Sequence, residues 1–372
     1  MKFFLLVAFT ALAFAADDDR RGKRLIATSD TSKVWLTPLE ISDLESRSIG
    51  FVDATNGDWD KLAAFKTLRE EVLHLTAKTF PSGPGYKAVV GAAIAKISTG
   101  DLKALLTEFV TKFATRYKNS AQGAQSCGWI YNQVKKLVTR PDVKLTVRQF
   151  KHSWGQYSVI ARVEPAGRAA ASQDIVIASA HQDSINRKNN QQAPGADDDG
   201  SGTITILQSL KILLATKEWV PVRPVEFHWY SAEETGLQGS ADVVKAYASQ
   251  KVDVYAQMQQ DMTGWVAPGK PPVVSFMDDN TDPGLTAFLE SLVNEYLAIP
   301  ATHDKCGYGC SDHASWNRAG YPASMPFETK VRDLNPNIHS TRDSLATIDF
   351  NHIAEFTKLT VSYIVELTQG LR

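Results

Sequence analysis

Short apolar runs alternate with amphipathic stretches through the last two thirds of the chain. Six runs have the length and composition of strands: 145–150, 158–163, 175–180, 225–230, 254–260 and 273–276. Apolar residues with the helical period of 3.6 predict helices over 101–117, 129–138, 202–213, 282–296 and 350–367. The alternation predicts an α/β fold with a mixed, largely parallel central sheet that is flanked by helices on both faces.

Polar residues follow several of the predicted strands directly. The first two strands are separated by a short loop, so we expect them to form an antiparallel hairpin at the edge of the sheet. His181 ends the third strand, Glu233 and Glu234 follow the fourth, and Asp261 ends the fifth. Open α/β sheets bind ligands outside the carboxyl ends of their strands. The pattern therefore predicts a functional site at this edge.

Five potential metal ligands lie in short motifs. The motifs are His-Gln-Asp (181–183), Ala-Asp-Asp-Asp-Gly-Ser-Gly (196–202), Ser-Ala-Glu-Glu-Thr-Gly (231–236), Gln-Asp-Met-Thr (260–263) and Ile-His-Ser (338–340). Imidazole and carboxylate ligands suit zinc, and a catalytic site with one zinc normally takes three protein ligands. Five ligands fit two Zn²⁺ per chain that share one carboxylate. The predicted ligands are His181, Asp198, Glu234, Asp261 and His339.

Glu233 adjoins a predicted ligand without being needed as one. Zinc-bound water has a pKa near 7, and peptide hydrolysis also needs a group that takes a proton from this water and passes it to the leaving amine. We assign that role to Glu233. Asp183, two residues after His181, is a candidate to accept a hydrogen bond from the imidazole nitrogen that faces away from the metal. Asp343 is a second candidate for such a role, toward His339.

Each motif also has a purely structural interpretation. A single His or a Glu-Glu pair is most often on a surface or in a loop. The Asp triplet before Gly200 can cap a helix, because Asp is a good N-cap residue and the helix dipole favours negative charge there. A cap and a metal ligand can be neighbours in one motif, and we expect both here.

The five motifs, in this order, resemble those of the M28 family of zinc aminopeptidases, specifically the secreted leucine aminopeptidases of the fungal and bacterial type. The resemblance extends from about residue 80 to the C-terminus. It implies that Asp198 bridges the two zinc ions, with His181 and Asp261 on one and Glu234 and His339 on the other, and that Glu233 is the general base. It implies a substrate with a free N-terminus and a Leu-like first residue, and an apolar pocket lined by Met262, Phe327 and Ile338.

Tyr308 matches a tyrosine that in relatives helps to stabilise the oxyanion. Its alternative role is that of a plain aromatic lid. Val331 stands where the closest bacterial relatives are expected to have an aromatic residue. Because a neutral amine has to bind, we expect activity at neutral to mildly alkaline pH.

Two other classes of function remain open at this stage. One is a relative on the same fold with different chemistry, either a glutaminyl cyclase with a single zinc or an enzyme like a carboxypeptidase. The other is a binding protein without catalysis on the same scaffold, and the complete ligand set with Glu233 argues against it. Metal stoichiometry and a substrate with a blocked N-terminus distinguish these alternatives from an aminopeptidase.

Composition narrows the possible partners. The chain has 372 residues, of which 43% are hydrophobic and 22% charged, with a formal net charge of −1. Such values are typical of a globular protein with one sizeable α/β domain. They give no sign of binding to nucleic acid or to an anionic membrane surface. We expect a monomer that acts on peptides.

The N-terminus predicts processing. Residues 1–15 have a positive start, an apolar stretch and small residues near the end, as a secretory signal peptide does, so we expect a secreted protein. The apolar stretch is too short to cross a bilayer. Resemblance suggests that residues 16–79 form a propeptide that helps folding or blocks the site, followed by the catalytic domain over 80–372. The alternative is that this segment stays attached as a structural extension.

The chain has three cysteines. Cys306 and Cys310 enclose Gly-Tyr-Gly, and an oxidising compartment favours a disulfide between them. Two cysteine ligands to a structural zinc are the competing interpretation, but the other half of such a site is absent from the sequence. Cys127 is then expected to be a buried thiol.

Overall fold

A six-stranded mixed sheet forms the centre of the computed structural model, which describes residues 20–29, 31–46, 49–72, 77–167 and 169–371. The strands are β1 (Arg24–Ser29), β2 (Ser32–Leu36), β3 (Val52–Asp53), β4 (Val143–Phe150), β5 (Ser158–Pro165), β6 (Ile175–His181), β7 (Val225–Tyr230), β8 (Val254–Gln259), β9 (Val274–Met277), β10 (Ala301–Asp304), β11 (Ala323–Ser324) and β12 (Pro326–Phe327). The helices are α1 (Pro38–Ser46), α2 (Asp58–Thr67), α3 (Lys87–Ile94), α4 (Thr99–Lys112), α5 (Ala121–Lys135), α6 (Gly200–Ala215), α7 (Gln238–Ser249), α8 (Pro283–Tyr296), α9 (His313–Arg318) and α10 (Phe350–Thr368).

The order of the strands in the central sheet is β11-β8-β6-β7-β5-β4. Neighbours from β11 to β7 are parallel, while β5 and β4 run antiparallel at one edge. Every residue of β6, β7 and β8 is buried, as is usual for parallel strands that are covered on both faces. The predicted fold class and the edge hairpin are therefore confirmed.

Two hydrophobic clusters cover the two faces of the sheet. Successive residues of a strand point to opposite faces, so Ala178 contributes to the cluster with α4, α6, α8 and α10, and Ile177 to the one with α7 and α9. Helix α6 begins at Gly200 because the Asp199 side chain accepts the backbone N–H of Gly202 at 2.9 Å. This cap fixes the chain that carries the predicted bridging ligand.

The N-terminal part of the chain packs on the second of these clusters. Strands β2, β1 and β3 form a small antiparallel sheet, and α2 follows. Buried Trp59 and Leu62 of α2 belong to the same cluster as Tyr247 of α7 and Trp316 of α9. The sequence indicated a helical pattern around residues 59–79, but it gave no sign of the small sheet, whose strands are short and largely polar on the outside.

The predicted elements agree with the structure except at a few boundaries. Helix α5 begins at Ala121, eight residues before its predicted start, because Ser120 caps it and the first two turns are rich in small and polar residues. Helices α1, α3, α7 and α9 and the short strands β10, β11 and β12 were not predicted. The predicted signal peptide lies outside the described residues. Among the described helices, none combines the length and apolarity needed to cross a membrane.

Candidate active site

The predicted ligands come from loops that leave the carboxyl edge of the sheet. His181 is the last residue of β6, Glu234 follows β7 and Asp261 follows β8. Three residues at or beside these positions have positive φ angles: Ala232 (61°), Met262 (62°) and His339 (54°). Non-glycine residues rarely adopt this conformation, and in folded proteins it is concentrated at functional sites.

The structure brings all five predicted ligands together. His181 Nε2 lies 3.1 Å from Asp198 Oδ1 and 3.4 Å from Asp261 Oδ1. His339 Nε2 lies 2.9 Å from Asp198 Oδ2 and 2.7 Å from Glu234 Oε2. Each histidine thus faces a different oxygen of one carboxylate. Asp198 has the position of a group shared by two cations.

Asp199 also lies close to His181 and Asp261 and could be taken for a ligand in place of Asp198. Its oxygens are already engaged, however. Oδ1 accepts the N–H groups of Gly202 and Met262 at 2.9 and 3.0 Å, and Oδ2 accepts the N–H of His181 at 3.1 Å. Asp199 is therefore engaged as a cap, and Asp198 is the aspartate whose oxygens face both imidazoles.

The donor set fits zinc. His181 is buried, yet neither ring nitrogen has a well-aligned hydrogen bond, and Glu234 Oε1 is likewise buried without one among the described residues. Buried polar atoms in folded proteins are normally satisfied. Two imidazoles and three carboxylates, arranged in two groups around Asp198, supply the ligand types that zinc takes.

The electrostatics of the site favour positive charge between the carboxylates. Burial opposes protonation of His181, but the carboxylates of Asp261 and Glu233 raise the pKa of its imidazole well above the usual value. Burial also opposes protonation of His339, whereas Glu234 and Asp198 raise its pKa to about 10. Burial would raise the pKa of Asp198, but the adjacent imidazoles of His181 and His339 hold it far below its ordinary value. A bound metal cation would balance the negative charge of the carboxylates, which protonated imidazoles balance when no metal is bound.

Glu233 is partly buried and lines a cavity beside the ligands. Its pKa is raised well above that of an ordinary glutamate, first by burial, with the His181 imidazole opposing and the carboxylates of Asp261 and Asp312 adding to the increase. Its backbone N–H donates to Asp183 Oδ1 at 3.0 Å. A carboxylate with raised proton affinity, held beside the ligand atoms, suits proton transfer.

Asp183 lies beside the His181 nitrogen that faces away from Asp198, the position that the sequence predicted for it. The distance from His181 Nδ1 to Asp183 Oδ1 is 3.6 Å, longer than an ordinary hydrogen bond. Asp183 also accepts the backbone N–H groups of Glu233 and Glu234. Asp343 accepts the backbone amides of Asp197 and Asp198, at 2.9 and 3.1 Å. The expected hydrogen bond between Asp343 and His339 is not formed. Both aspartates hold ligand loops through the backbone.

Sequence reasoning missed a second layer of buried polar residues. Asp197 accepts the N–H of Gly264 at 3.1 Å and an N–H of the Asn335 side chain at 2.8 Å. Glu328 accepts the N–H of Trp265 at 2.6 Å. The bond from Gly264 joins the chain after Asp261 to the chain before Asp198. The only signal in the sequence was Asp197, the first Asp of the triplet, which neither the cap at Asp199 nor the predicted ligand Asp198 explains.

A cavity of about 450 Å³ adjoins Asp198, Glu233, Glu234, Asp261 and His339. Its apolar wall comes from a small buried cluster, and the predicted pocket residues belong to it. Tyr308 lies in the wall between two cysteines, which form a disulfide with a sulfur–sulfur distance of 2.05 Å. The predicted disulfide is confirmed, and Cys127 is buried and unbridged. The apolar cluster comprises Met262, Met277, Met325, Phe327 and Ile338.

The N-terminal part of the chain forms the opposite wall of the cavity. Thr28, Ile49, Gly50 and Phe51 line it. A Cβ at Gly50 would overlap the Tyr308 hydroxyl, so any side chain at this position would displace the Tyr308 ring. The segment that was predicted to be a propeptide thus contacts a predicted substrate-binding residue.

Imidazoles and carboxylates that converge at the carboxyl edge of a mixed sheet, beside a cavity that a further glutamate lines, fit a metallopeptidase. The family model "Peptidase family M28" matches residues 158–364. The chain belongs to that family, and it is a metallo-aminopeptidase.

Several known proteins are similar over most of the chain. Leucine aminopeptidase 1 of Emericella nidulans is 38% identical over 361 residues, which are 94% of this chain and 90% of that protein. The crystal structure of the Legionella pneumophila LapA aminopeptidase matches with a TM-score of 0.79 at 25% identity, covering 94% of this chain and 99% of that one. A Bacteroides thetaiotaomicron glutaminyl cyclase shares the fold, with a TM-score of 0.58 at 14% identity over 72% of this chain and 97% of that one.

Proposed function

We propose that the protein is a secreted exopeptidase that uses two zinc ions to remove Leu-like residues from the N-terminus of peptides. The observation that carries the proposal is the arrangement around Asp198. Its two oxygens face two histidines from different loops, and each histidine approaches a further carboxylate.

Zinc would be held by His181 and Asp261 on one side and by Glu234 and His339 on the other, with Asp198 between them. Zinc in such a site lowers the pKa of bound water and polarises a carbonyl group. Because the imidazoles must lose a proton to bind the metal, the carboxylates that raise their pKa also make zinc binding compete with protons.

Glu233 is proposed as the general base. It faces the cavity, its backbone is fixed by Asp183, and its raised pKa lets it keep a proton long enough to deliver it to the leaving amine. Glu234, its neighbour, lies 2.7 Å from His339 and serves as a ligand. Ala232, which precedes them, has a φ of 61°, and we infer that this turn of the backbone lets the two adjacent side chains take different roles.

Substrate binding is proposed from the cavity walls. The apolar wall around Met262, Phe327 and Ile338 suits an aliphatic side chain, and the relatives are named for leucine. Burial, followed by the carboxylates of Glu233 and Asp261, raises the pKa of Tyr308. The phenol therefore stays protonated and can donate a hydrogen bond to a developing oxyanion.

The N-terminal segment is proposed to be a propeptide that covers the site. It forms one wall of the cavity and places Gly50 against Tyr308. Asp53 fastens it, because its carboxylate accepts a hydrogen bond from the Gln238 side chain at 2.6 Å, and Arg24, which also bonds to Asp53, donates to Thr235 O at 2.9 Å. The apolar stretch at residues 3–14 and the disulfide fit a secretory pathway.

Metal counting on the secreted protein, together with three substrates, tests the proposal. We expect two zinc ions per chain, hydrolysis of leucine 4-nitroanilide, no hydrolysis of its N-acetyl form, and no cyclisation of an N-terminal glutamine. Activity should disappear with the metal on dialysis against a chelator and return with zinc. One zinc with cyclisation of glutamine would instead identify a glutaminyl cyclase, and full activity in metal-free protein would overturn a metal mechanism.

A further inference from the structure

Arg116 is completely buried beneath the candidate metal centre. It lies in the connection between α4 and α5, well before the motifs that carry the ligands. The carboxyl groups of Asp183, Asp198, Asp199 and Asp343 all lie within range of its charge. A buried guanidinium is costly unless its donors are satisfied, so its bonds indicate what it does.

The guanidinium donates to the backbone of two separate loops. Nε donates to Gln182 O at 2.8 Å, Nη2 to Gly195 O at 2.8 Å and Nη1 to Pro194 O. Gln182 follows His181, and Gly195 precedes the Asp triplet that contains Asp198. The planar fork thus spans the two loops that supply ligands from β6 and from the start of α6.

The rest of the residue supports the same arrangement. The backbone N–H of Arg116 donates to Ser184 Oγ at 3.1 Å, and its carbonyl accepts from the Gln156 side chain at 2.9 Å. Gly195 has φ +52°, and a Cβ there would lie 2.7 Å from Arg116 Nη2. The guanidinium therefore packs directly against the backbone of Gly195, where a larger residue would collide with it.

We propose that Arg116 is a positioning residue of the metal centre, which sets the separation between the loop of His181 and the loop of Asp198. The inference rests on the proposed zinc site. All three of its side-chain bonds go to backbone carbonyls, so the charge is not consumed in a direct ion pair. The positive charge of the guanidinium stabilises the surrounding carboxylates, while its N–H groups hold the two ligand loops in place.

The test compares Arg116→Met and Arg116→Lys with Lys118→Met. Lys118 is a matched control because it is another buried cation near the site, but its ammonium group bonds to the Gln238 side chain and contacts neither ligand loop. The readouts are the zinc dissociation constant, from competition with a chromogenic chelator, and the visible absorption spectrum of the cobalt-substituted protein. Circular dichroism identifies the folded variants.

We expect both Arg116 variants to bind zinc about 10- to 100-fold more weakly, as is usual when an outer partner of a metal site is lost, and to show an altered cobalt spectrum. Lysine keeps the positive charge but lacks the planar guanidinium that bonds to both loops. Arg116→Lys therefore tests the positioning role even if Arg116→Met does not fold. Wild-type affinity and spectrum in folded Arg116→Lys, or an equal loss in Lys118→Met, would overturn the inference. Fewer than two zinc ions in the wild type would instead count against the proposed function.

Discussion

The carboxylate of Asp183 binds the backbone N–H of Glu233, with 3.0 Å between Oδ1 and N. Its second oxygen accepts the N–H of Glu234 at 3.3 Å. Asp183 belongs to the chain that follows β6, and the glutamates follow β7. One carboxylate therefore aligns the proposed base and a proposed ligand relative to His181.

Asp183→Asn should lower kcat about 10- to 100-fold, because an amide cannot accept both backbone N–H groups and one of its own N–H groups would face a donor. Steady-state kinetics and zinc content measure the effect. Asp282→Asn is the control, since Asp282 also accepts a backbone amide, at 2.8 Å from Leu285 N, but caps α8. Equal activity of Asp183→Asn and the wild type would rule out this role.

Glu233→Gln should keep the zinc content and reduce kcat at least about 100-fold, because the amide has nearly the same shape but cannot take up a proton. Metal analysis and kinetics on one sample check the prediction. A parallel loss of zinc and activity would make Glu233 a ligand instead of a base.

Tyr308→Phe should reduce kcat about 100-fold with a smaller change in KM, because a hydrogen-bond donor to the oxyanion acts mainly in the transition state. Since burial and nearby carboxylates raise the pKa of Tyr308, its ionisation should not limit activity at mildly alkaline pH. A raised KM with unchanged kcat would identify the ring as a plain lid.

Asp53→Ala should increase the initial activity of the uncleaved chain severalfold and speed up its activation by a protease. The substitution removes the acceptor that fastens the N-terminal segment to Gln238. Glu40→Ala is the control, since the exposed Glu40 carboxylate accepts the N–H and O–H groups of Thr37, at 2.7 and 2.8 Å, within the same segment. Unchanged activity and an unchanged rate of cleavage in Asp53→Ala would show that this contact does not hold the N-terminal segment over the site.

His313→Gln should reduce the loss of stability in acid. Burial lowers the pKa of His313 to about 4, whereas the unfolded ring titrates at 6.5. Between these values only the unfolded chain takes up the proton, so this ring lowers the free energy of unfolding by ~1.4 kcal/mol per pH unit as the pH falls. Urea unfolding of both proteins from pH 7 to pH 4.5 measures the difference, and equal slopes would contradict the prediction.

The ligand set could be predicted from the sequence because ligand chemistry is limited to a few residue types. In this fold three of those residues, His181, Glu234 and Asp261, lie at or just after the ends of buried strands, which apolar runs reveal. His181 and Asp261 were placed correctly for this reason. The edge hairpin of β4 and β5 was predicted from its short connection alone.

The supporting bonds could not be predicted, because they join residues far apart in the chain. Arg116 donates to Gln182 and Gly195, which are 66 and 79 residues away, and its acceptors are carbonyls that every residue possesses. The bonds from the amides of Glu233 and Glu234 to Asp183 were missed for the same reason. Every residue except proline has a backbone N–H group, so the sequence does not show that the N–H of Glu233 donates to Asp183.

Trp59 and Leu62 share one apolar core with Trp316 and Tyr247. Severing the connection between the N-terminal segment and the rest would therefore leave two fragments adhering to each other through hydrophobic contact. If the segment acts as the proposed propeptide, onset of activity would then depend on digestion of the smaller fragment, and a single cleavage would leave an inactive complex.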